Sequence, residues 1–179
     1  YHKSPGYTDS NGNQQSREYF AEKFGVRSDD VFLAPNLSMA RWYLCTLFLD
    51  ENDAVACNEG LQPEVLKVKG EDNFRVVGLD QAEEAKLVLI RTPDVDSEEV
   101  KDEVVKYATG IGQKEEKFGT KKAIAIEEPF VLLDKEYSAQ SVKNQPLPKD
   151  TPIYILTSLN EVLLNDSSSF AILILLNNK

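Results

Sequence analysis

The feature of this chain that most constrains its fold is a series of short apolar runs separated by helical or turn segments. Residues 86–90 (Lys-Leu-Val-Leu-Ile) form an almost continuous apolar run, as in parallel strands that are covered on both faces,. Strands are predicted there and in six further runs, at 31–34, 54–57, 74–78, 122–126, 153–156 and 170–175,. Strands that alternate with helices favour a three-layer α/β/α fold around a mostly parallel, mixed sheet of about seven strands.

Two helices are predicted in the first third of the chain. The first starts near Gln14, carries Phe20, Ala21 and Phe24 on one face, and ends at Gly25,. The second lies between the first two predicted strands and has little polar face, because six of its residues are large and apolar: Met39, Trp42, Tyr43, Leu44, Leu47 and Phe48. We therefore expect this second helix to be buried, with its two neighbouring aromatic residues in the core.

The middle of the chain carries one clear amphipathic helix. Asp96 can cap this helix, with Glu99 reaching back to it, and apolar residues then recur at helical spacing in Val100, Val104, Tyr107 and Ala108,. The acidic run 94–103 is interpreted as the exposed face of this helix. Residues 113–122 are interpreted as a solvated connection, and residues 133–150, which show no clear period, as a long loop,.

The length and charge of the chain limit its partners. Its 179 residues, 41% of them hydrophobic, fit a single domain over 1–179, with residues 1–12 as a polar segment that leads into it,. The net charge of -10 repels nucleic acid phosphates and anionic lipid headgroups,. The longest apolar runs, such as 171–176, are shorter than the roughly 20 residues of a membrane span, and no secretory signal is recognised,. We therefore expect a cytoplasmic protein without nucleic acid or membrane partners.

The cysteine and histidine content argues against a disulfide and against a metal site. Cys45 and Cys57 both fall in predicted core elements, where a free thiol acts as a small apolar group,. His2 is the only histidine, so the sequence offers no His/Cys cluster at metal-ligand spacing,. The same lack of histidine disfavours Ser-His nucleophilic hydrolysis.

A series of short motifs carries a family resemblance. Residues 7–12 (Tyr-Thr-Asp-Ser-Asn-Gly) lead into 16–21 (Ser-Arg-Glu-Tyr-Phe-Ala), and further motifs follow at 25–31, 47–55, 87–93, 124–130 and 155–161. In this order the motifs resemble those of class I/II aminotransferases, which are fold-type I pyridoxal phosphate (PLP) enzymes. Asn52 departs from the pattern, since the family usually has glycine there.

The resemblance runs from about Tyr7 to Leu175 and has consequences for the architecture. It implies the large domain of the family, with a seven-stranded mixed sheet whose last strand runs antiparallel. We expect no small domain after Lys179, and hence no arginine from such a domain to bind a substrate carboxylate.

The resemblance also implies that the chemistry of the family has been lost. PLP catalysis needs a lysine amine to form the Schiff base, whereas Glu161 stands at that position and a carboxylate forms no imine,. Glu127 replaces the aspartate that keeps the pyridine nitrogen protonated, and Phe130 replaces the tyrosine near the ring oxygen. Lys135 and Lys143 are the candidate substitutes, but both lie in the predicted loop,. We expect neither transamination nor bound PLP.

The phosphate-binding part of the family site is altered as well. Residues 36–38 (Asn-Leu-Ser) correspond to the turn whose backbone amides hold the phosphate, and an anion can still be accommodated there,. Residues 165–169 provide no counterpart of the arginine that helps to bind it, and the Asn-Pro motif is reduced to 91–94 (Arg-Thr-Pro-Asp).

Two functional hypotheses follow. The first is a non-catalytic, aminotransferase-like domain that binds a protein partner, either a second copy of itself in a homodimer or another protein. The second is a small-molecule-binding or divergent enzyme domain, with or without residual non-covalent PLP binding. It would use a degenerate crevice whose acidic lining favours a cationic ligand, formed by Asn36, Ser38, Glu127, Phe130, Ser158 and Glu161. Glu127 stays open to two readings, a ligand-binding group or a polar strand end.

Overall fold

A computed structural model describes residues 12–69, 74–91, 123–127, 152–158 and 171–176. Within these ranges the chain forms three α-helices and seven β-strands. The helices are α1 (Gln14–Phe24), α2 (Leu37–Phe48) and α3 (Gln62–Lys69). The strands are β1 (Val31–Ala34), β2 (Ala54–Cys57), β3 (Arg75–Gly78), β4 (Leu87–Arg91), β5 (Ala123–Glu127), β6 (Ile153–Ser158) and β7 (Ala171–Leu175).

The strands form one mixed sheet in the order β1-β7-β6-β5-β4-β2-β3. The pairs β2/β3, β2/β4, β4/β5 and β5/β6 are parallel, whereas β7 is antiparallel to both of its neighbours, β1 and β6. The predictions of a mostly parallel seven-stranded sheet and of an antiparallel last strand are both confirmed. Each predicted strand lies within one residue of the observed one, except β6, which continues two residues further, to Ser158.

The start and the end of α1 are fixed locally. The Asn13 side chain accepts a hydrogen bond from the Ser16 amide at the start of α1, and Gly25 ends the helix in the left-handed conformation (φ 62°),. The prediction of this helix and of its glycine end is therefore confirmed. Asn52, which the sequence resemblance aligns with a glycine, also has a left-handed backbone (φ 70°), which asparagine tolerates better than most residues,.

Two layers of apolar side chains enclose the sheet. Along β4, Val88 and Ile90 face the α1 side, whereas Leu87 and Leu89 face the α2 side. Such alternation, repeated in the central strands, buries both faces of the sheet, as parallel sheets require. Cys45 and Cys57 are buried thiols, not joined in a disulfide, in the layer on the α2 side, where the sequence predicts core residues.

The prediction that α2 is buried on all sides is wrong. Trp42 and Tyr43, which were expected in the core, are 39% and 41% exposed, and Leu47 is 67% exposed. The side of α2 that faces the sheet instead contains its only charged residue, Arg41, which is 2% exposed. The reason is an ion pair with a distant part of the chain, which hydrophobic periodicity does not reveal.

Several sequence predictions concern residues outside the described ranges. They include the polar segment 1–12 up to residue 11, the amphipathic helix with its acidic run, the connection 113–122 and the loop 133–150. In the part of the chain that the structure describes, no helix combines the length and the hydropathy that a membrane span requires.

Candidate functional site

The candidate site lies where the parallel strands of the sheet end. Glu127 is the last residue of β5, Arg91 is the last residue of β4, and the two are paired in register. Because β1 runs in the same direction as these strands, α2, which follows β1, also starts at this edge of the sheet. Ligands of open α/β sheets bind outside the carboxyl ends of the strands.

Glu127 is held by a buried arginine. The Nε and Nη2 atoms of Arg41 donate to Oε2 and Oε1 of Glu127 at 2.9 and 2.8 Å, the two-pronged geometry in which arginine binds a carboxylate most strongly,. Arg41 is 2% exposed and Glu127 is 3% exposed. Side chains on one face of a strand alternate, and Ala123 and Ala125 of β5 face α2, so Glu127 points toward α2 as well,.

Two further residues extend this pair into a network of four charges. Nε of Arg91 donates to Oε1 of Glu127 at 2.9 Å, and Nη2 of Arg91 donates to Oε2 of Glu64 at 3.0 Å. Glu64, on α3, also lies 2.7 Å from Nη1 of Arg41. We call Arg41, Glu64, Arg91 and Glu127 the carboxyl-edge network. It joins α2, α3, β4 and β5.

The carboxyl-edge network is balanced in charge, with two arginines and two glutamates. Burial disfavours the charged form of Arg91, but Glu127 and Glu64 outweigh this effect, so the pKa of Arg91 is raised,. The backbone amide of Arg91 donates to Oδ1 of Asn58 at 2.7 Å, which fixes the end of β4. In the described residues, therefore, this part of the crevice is not acidic.

The start of α2 is capped by the side chain of the residue that precedes the helix. Asn36, the residue before the helix, is exposed, and its Oδ1 accepts a hydrogen bond from the Met39 amide at 2.9 Å. This bond uses one of the amides that the first turn of a helix otherwise offers to an anion. Ser38, in the first turn, is exposed.

The remaining predicted site residues divide between described and undescribed parts of the chain. Ser158 is buried at the end of β6, and strand alternation puts it on the same face as Tyr154 and Leu156, toward α2,. Phe130 and Glu161 lie outside the described residues. The structure thus brings four predicted residues to one edge of the sheet: Asn36, Ser38, Glu127 and Ser158.

Sequence reasoning identified Glu127 but missed Arg41, Glu64 and the role of Arg91. One signal was available for Arg91, because neighbouring parallel strands that end in opposite charges place those charges side by side. No local signal marks Arg41, which is separated from Glu127 by 86 positions.

Cys57, at the end of β2, is a buried thiol whose pKa is raised to about 11 by burial, which makes it a poor nucleophile at neutral pH,.

Across the described ranges, no group of three or more His, Cys, Asp or Glu residues could hold a metal ion.

Comparison with solved structures identifies the fold. Tyrosine aminotransferase from Leishmania infantum superposes with a TM-score of 0.74 at 13% identity over 98% of this chain. Alanine aminotransferase from Pyrococcus furiosus gives 0.72 at 14% identity over 96% of this chain. Aspartate aminotransferase from Thermus thermophilus with maleate gives 0.67 at 15% identity over 94%. The fold is therefore aminotransferase-like.

The comparisons also limit what can be carried over from these enzymes. This chain covers 54%, 48% and 48% of the three solved chains, so it spans about half of their length. No protein-family model and no curated protein sequence matches it. At such low identity the likeness establishes the architecture and leaves the chemistry to the residues of this chain.

Proposed function

We propose that this aminotransferase-like domain is non-catalytic and acts in protein assembly. The observation that carries the proposal is the state of Glu127, the residue that the family resemblance aligns with the carboxylate of the cofactor site. Both of its oxygens accept hydrogen bonds from Arg41, and one of them also accepts from Arg91. Three of the about four lone-pair sites of this carboxylate are thus taken by arginines, and Glu127 would have to leave part of this arrangement to face a pyridine nitrogen,.

The residues at the edge of the sheet do not fit PLP. Breaking a buried ion pair leaves a charge without its partner, which costs roughly 3–5 kcal/mol. A pyridinium ring that took Glu127 from Arg41 (2% exposed) would incur this cost. The hydrogen bond from the Met39 amide to Asn36 competes with a phosphate for the start of α2. The alignment of Glu161 with the Schiff-base lysine supports the same conclusion from sequence.

The proposal is tested by adding PLP to the purified chain, reducing with borohydride and mapping modified lysines by mass spectrometry. We expect only scattered, substoichiometric labelling of surface lysines and no absorbance band that depends on the folded state. The same chain unfolded in urea is the matched control and should give a similar pattern. One lysine modified at one equivalent per folded chain, and lost on unfolding, would overturn the proposal.

One observation favours the second hypothesis, a small-molecule-binding domain. The side chains of Arg91 and Glu64 remain 29% and 37% exposed at the outer side of the carboxyl-edge network, where they can still meet a solute. A bound ligand at 100 times its dissociation constant stabilises a fold by about 2.7 kcal/mol. A thermal-shift screen of amines, carboxylates and PLP therefore separates the hypotheses. A shift that Arg91→Met abolishes would favour ligand binding over assembly.

A further inference from the structure

The guanidinium of Arg41 is held by carboxylates on two sides. Its Nε and Nη2 donate to the two oxygens of Glu127 at 2.9 and 2.8 Å, and its Nη1 lies 2.7 Å from Oε2 of Glu64. Each of the three guanidinium nitrogens therefore meets a carboxylate oxygen, in a side chain that is 3% exposed. The five N–H donors of a guanidinium lie in one plane. The two glutamates thus have the arrangement of a receptor for a planar cation.

This receptor is built from elements other than the helix that carries Arg41. Glu127 ends β5, and Glu64 lies on α3. Arg91, at the end of β4, bridges the two carboxylates, since its Nε donates to Glu127 and its Nη2 donates to Glu64. The end of β4 is fixed in turn by the hydrogen bond from the Arg91 amide to Asn58. The receptor should therefore persist when the side chain of Arg41 is removed.

The charge of the receptor specifies a cation. Without Arg41, the carboxyl-edge network holds two glutamates against the single positive charge of Arg91. A buried charge without a partner is unfavourable, so one further positive charge is required. The in-plane contacts of Glu127 and Glu64 require in addition that this charge be planar, because a tetrahedral ammonium does not present donors in one plane.

We propose that the carboxyl-edge network is a binding site for a planar monocation of the guanidinium class, and that the chain fills this site with its own Arg41. The inference rests on the proposed loss of PLP and deepens it. The resemblance aligns Glu127 with the carboxylate that faces a protonated pyridine, which is also a planar cation, and Arg41 supplies such a cation from within. Because this cation is attached to α2, no free ligand is needed to complete the fold.

A truncated side chain makes the internal site accessible to a free ligand. Arg41→Ala removes the atoms that correspond to ethylguanidinium and leaves the rest of the chain unchanged. The side chains of Glu64 and Arg91 are 37% and 29% exposed, so the network has an outer side through which a small cation can enter. In the wild type, the tethered guanidinium occupies the place that this ligand would take.

Thermal unfolding of the full chain with ethylguanidinium tests the inference. We expect Arg41→Ala to lower the melting temperature by roughly 10 °C, because it leaves Glu127 buried without its arginine. Ethylguanidinium at about 20 mM should restore at least half of this loss, since a ligand that binds only the folded state stabilises it. All samples have the same ionic strength, adjusted with sodium chloride, because salt alone affects an acidic chain.

Two comparisons establish that the recovery comes from the proposed site. N-ethylurea has nearly the same shape as ethylguanidinium but no charge, and it should not raise the melting temperature of Arg41→Ala. The wild type should gain nothing from ethylguanidinium, because its site is filled. No recovery in Arg41→Ala, or equal recovery with N-ethylurea, overturns the inference.

Two further variants separate the site from general effects of charge. Arg75→Ala is the matched control, since Arg75 is 55% exposed beside Glu84, and ethylguanidinium should not stabilise this variant. Arg41→Lys keeps the charge but loses the planar donors, so its melting temperature should fall by at least half as much as that of Arg41→Ala. An Arg41→Lys variant as stable as the wild type would show that the site recognises charge alone.

Refolding keeps the test decisive if Arg41→Ala does not fold by itself. The variant is diluted from urea into buffer with ethylguanidinium or with N-ethylurea, and circular dichroism follows the recovery of helix and sheet. We expect recovery with ethylguanidinium only. A variant that refolds in neither buffer, or equally in both, contradicts an internal site for a planar cation.

These measurements and the PLP experiment fail separately, because the PLP experiment uses the wild type. Absence of rescue by ethylguanidinium, without any modified lysine, refutes the internal cation site and leaves the non-catalytic proposal standing. A single stoichiometrically modified lysine in the wild type refutes the non-catalytic proposal, whatever ethylguanidinium does in Arg41→Ala.

Discussion

At the scale of single residues, the immediate surroundings determine which residue fits at one position and how readily the side chain ionises at another. Gly12 has φ +98°, and a Cβ atom added there would lie 2.6 Å from Cβ of Leu33 on β1. Gly12 is also the last residue of the motif at 7–12, so the glycine of this motif has a physical reason in this chain. The other position is Cys57, whose thiol is fully buried and has a raised pKa.

Gly12→Ala should destabilise the fold by about 2 kcal/mol, because alanine is strained at positive φ and would collide with Leu33. Gly60→Ala is the control, since nothing lies within 4 Å of a Cβ at Gly60, and its effect should stay below about 1 kcal/mol,. Urea unfolding of both variants gives the comparison. Equal free energies of unfolding for the two variants would show that position 12 does not require glycine.

Cys57 should make stability fall at alkaline pH. Its pKa is about 11 in the folded chain against 9.0 for an unperturbed thiol, so the unfolded chain loses the proton first. The associated stability is complete below pH 9 and is lost as the pH rises toward 11,. From pH 8 to pH 10 the free energy of unfolding should therefore drop by about 1 kcal/mol more in the wild type than in Cys57→Ala. An equal drop in both would contradict the assignment.

At the scale of secondary-structure elements, the carboxyl-edge network holds the α2 layer against the sheet. Arg41 connects α2 to β5 through Glu127 and to α3 through Glu64, while Arg91 connects β4 to the same two glutamates. Its inner pair, Arg41 and Glu127, is 2% and 3% exposed and is therefore sensitive to the loss of one member, because the remaining charge stays buried,.

Arg41→Met and Glu127→Leu should each cost roughly 3–5 kcal/mol, whereas the double variant should cost clearly less than their sum, because no unpaired charge of that pair remains. Arg75→Met is the control: Arg75 is 55% exposed beside Glu84 at 3.6 Å, and its loss should cost less than about 1 kcal/mol,. Urea unfolding of the wild type and the four variants provides the values. Additive single effects would show that Arg41 and Glu127 are not coupled.

The same elements show how much of the fold the sequence determines. Continuous apolar runs between turn formers predict the strands well, since parallel strands are buried on both faces. The burial of α2 was predicted wrongly, because Trp42 and Tyr43 count as core residues in any local pattern and Arg41 counts as surface. The opposite orientation arises from Glu64 and Glu127, which lie far along the chain. Of the candidate site, Glu127 was identifiable from sequence, whereas its partners depend on tertiary contacts.

At the scale of the whole molecule, the excess of acidic residues opposes compactness. There are 30 Asp and Glu residues against 20 Lys and Arg residues, so the folded chain concentrates like charges that the unfolded chain can separate,. The carboxyl-edge network contributes nothing to this excess, because its charges balance within the interior.

Raising sodium chloride from about 20 to 500 mM should therefore raise the melting temperature by a few degrees, since a Debye length of a few ångströms screens the surface repulsion. The measurement is made at two protein concentrations, so that a shift that depends on association is recognised and the remainder reports on folding. Potassium chloride at the same ionic strength is the control for ion-specific effects. A lower melting temperature in salt would mean that attractive surface pairs outweigh the repulsion.

The position of β7 between β1 and β6 has a consequence for biosynthesis. Among the described strands, β1 pairs with β7 alone, although β1 lies near the start of the described residues and β7 near their end. While the polypeptide emerges from the ribosome, β1 must wait for β7, which begins 137 positions after β1 ends, before its partner strand exists. Such late closure is slow and leaves apolar surface accessible during translation, which makes the nascent chain a natural client for chaperones.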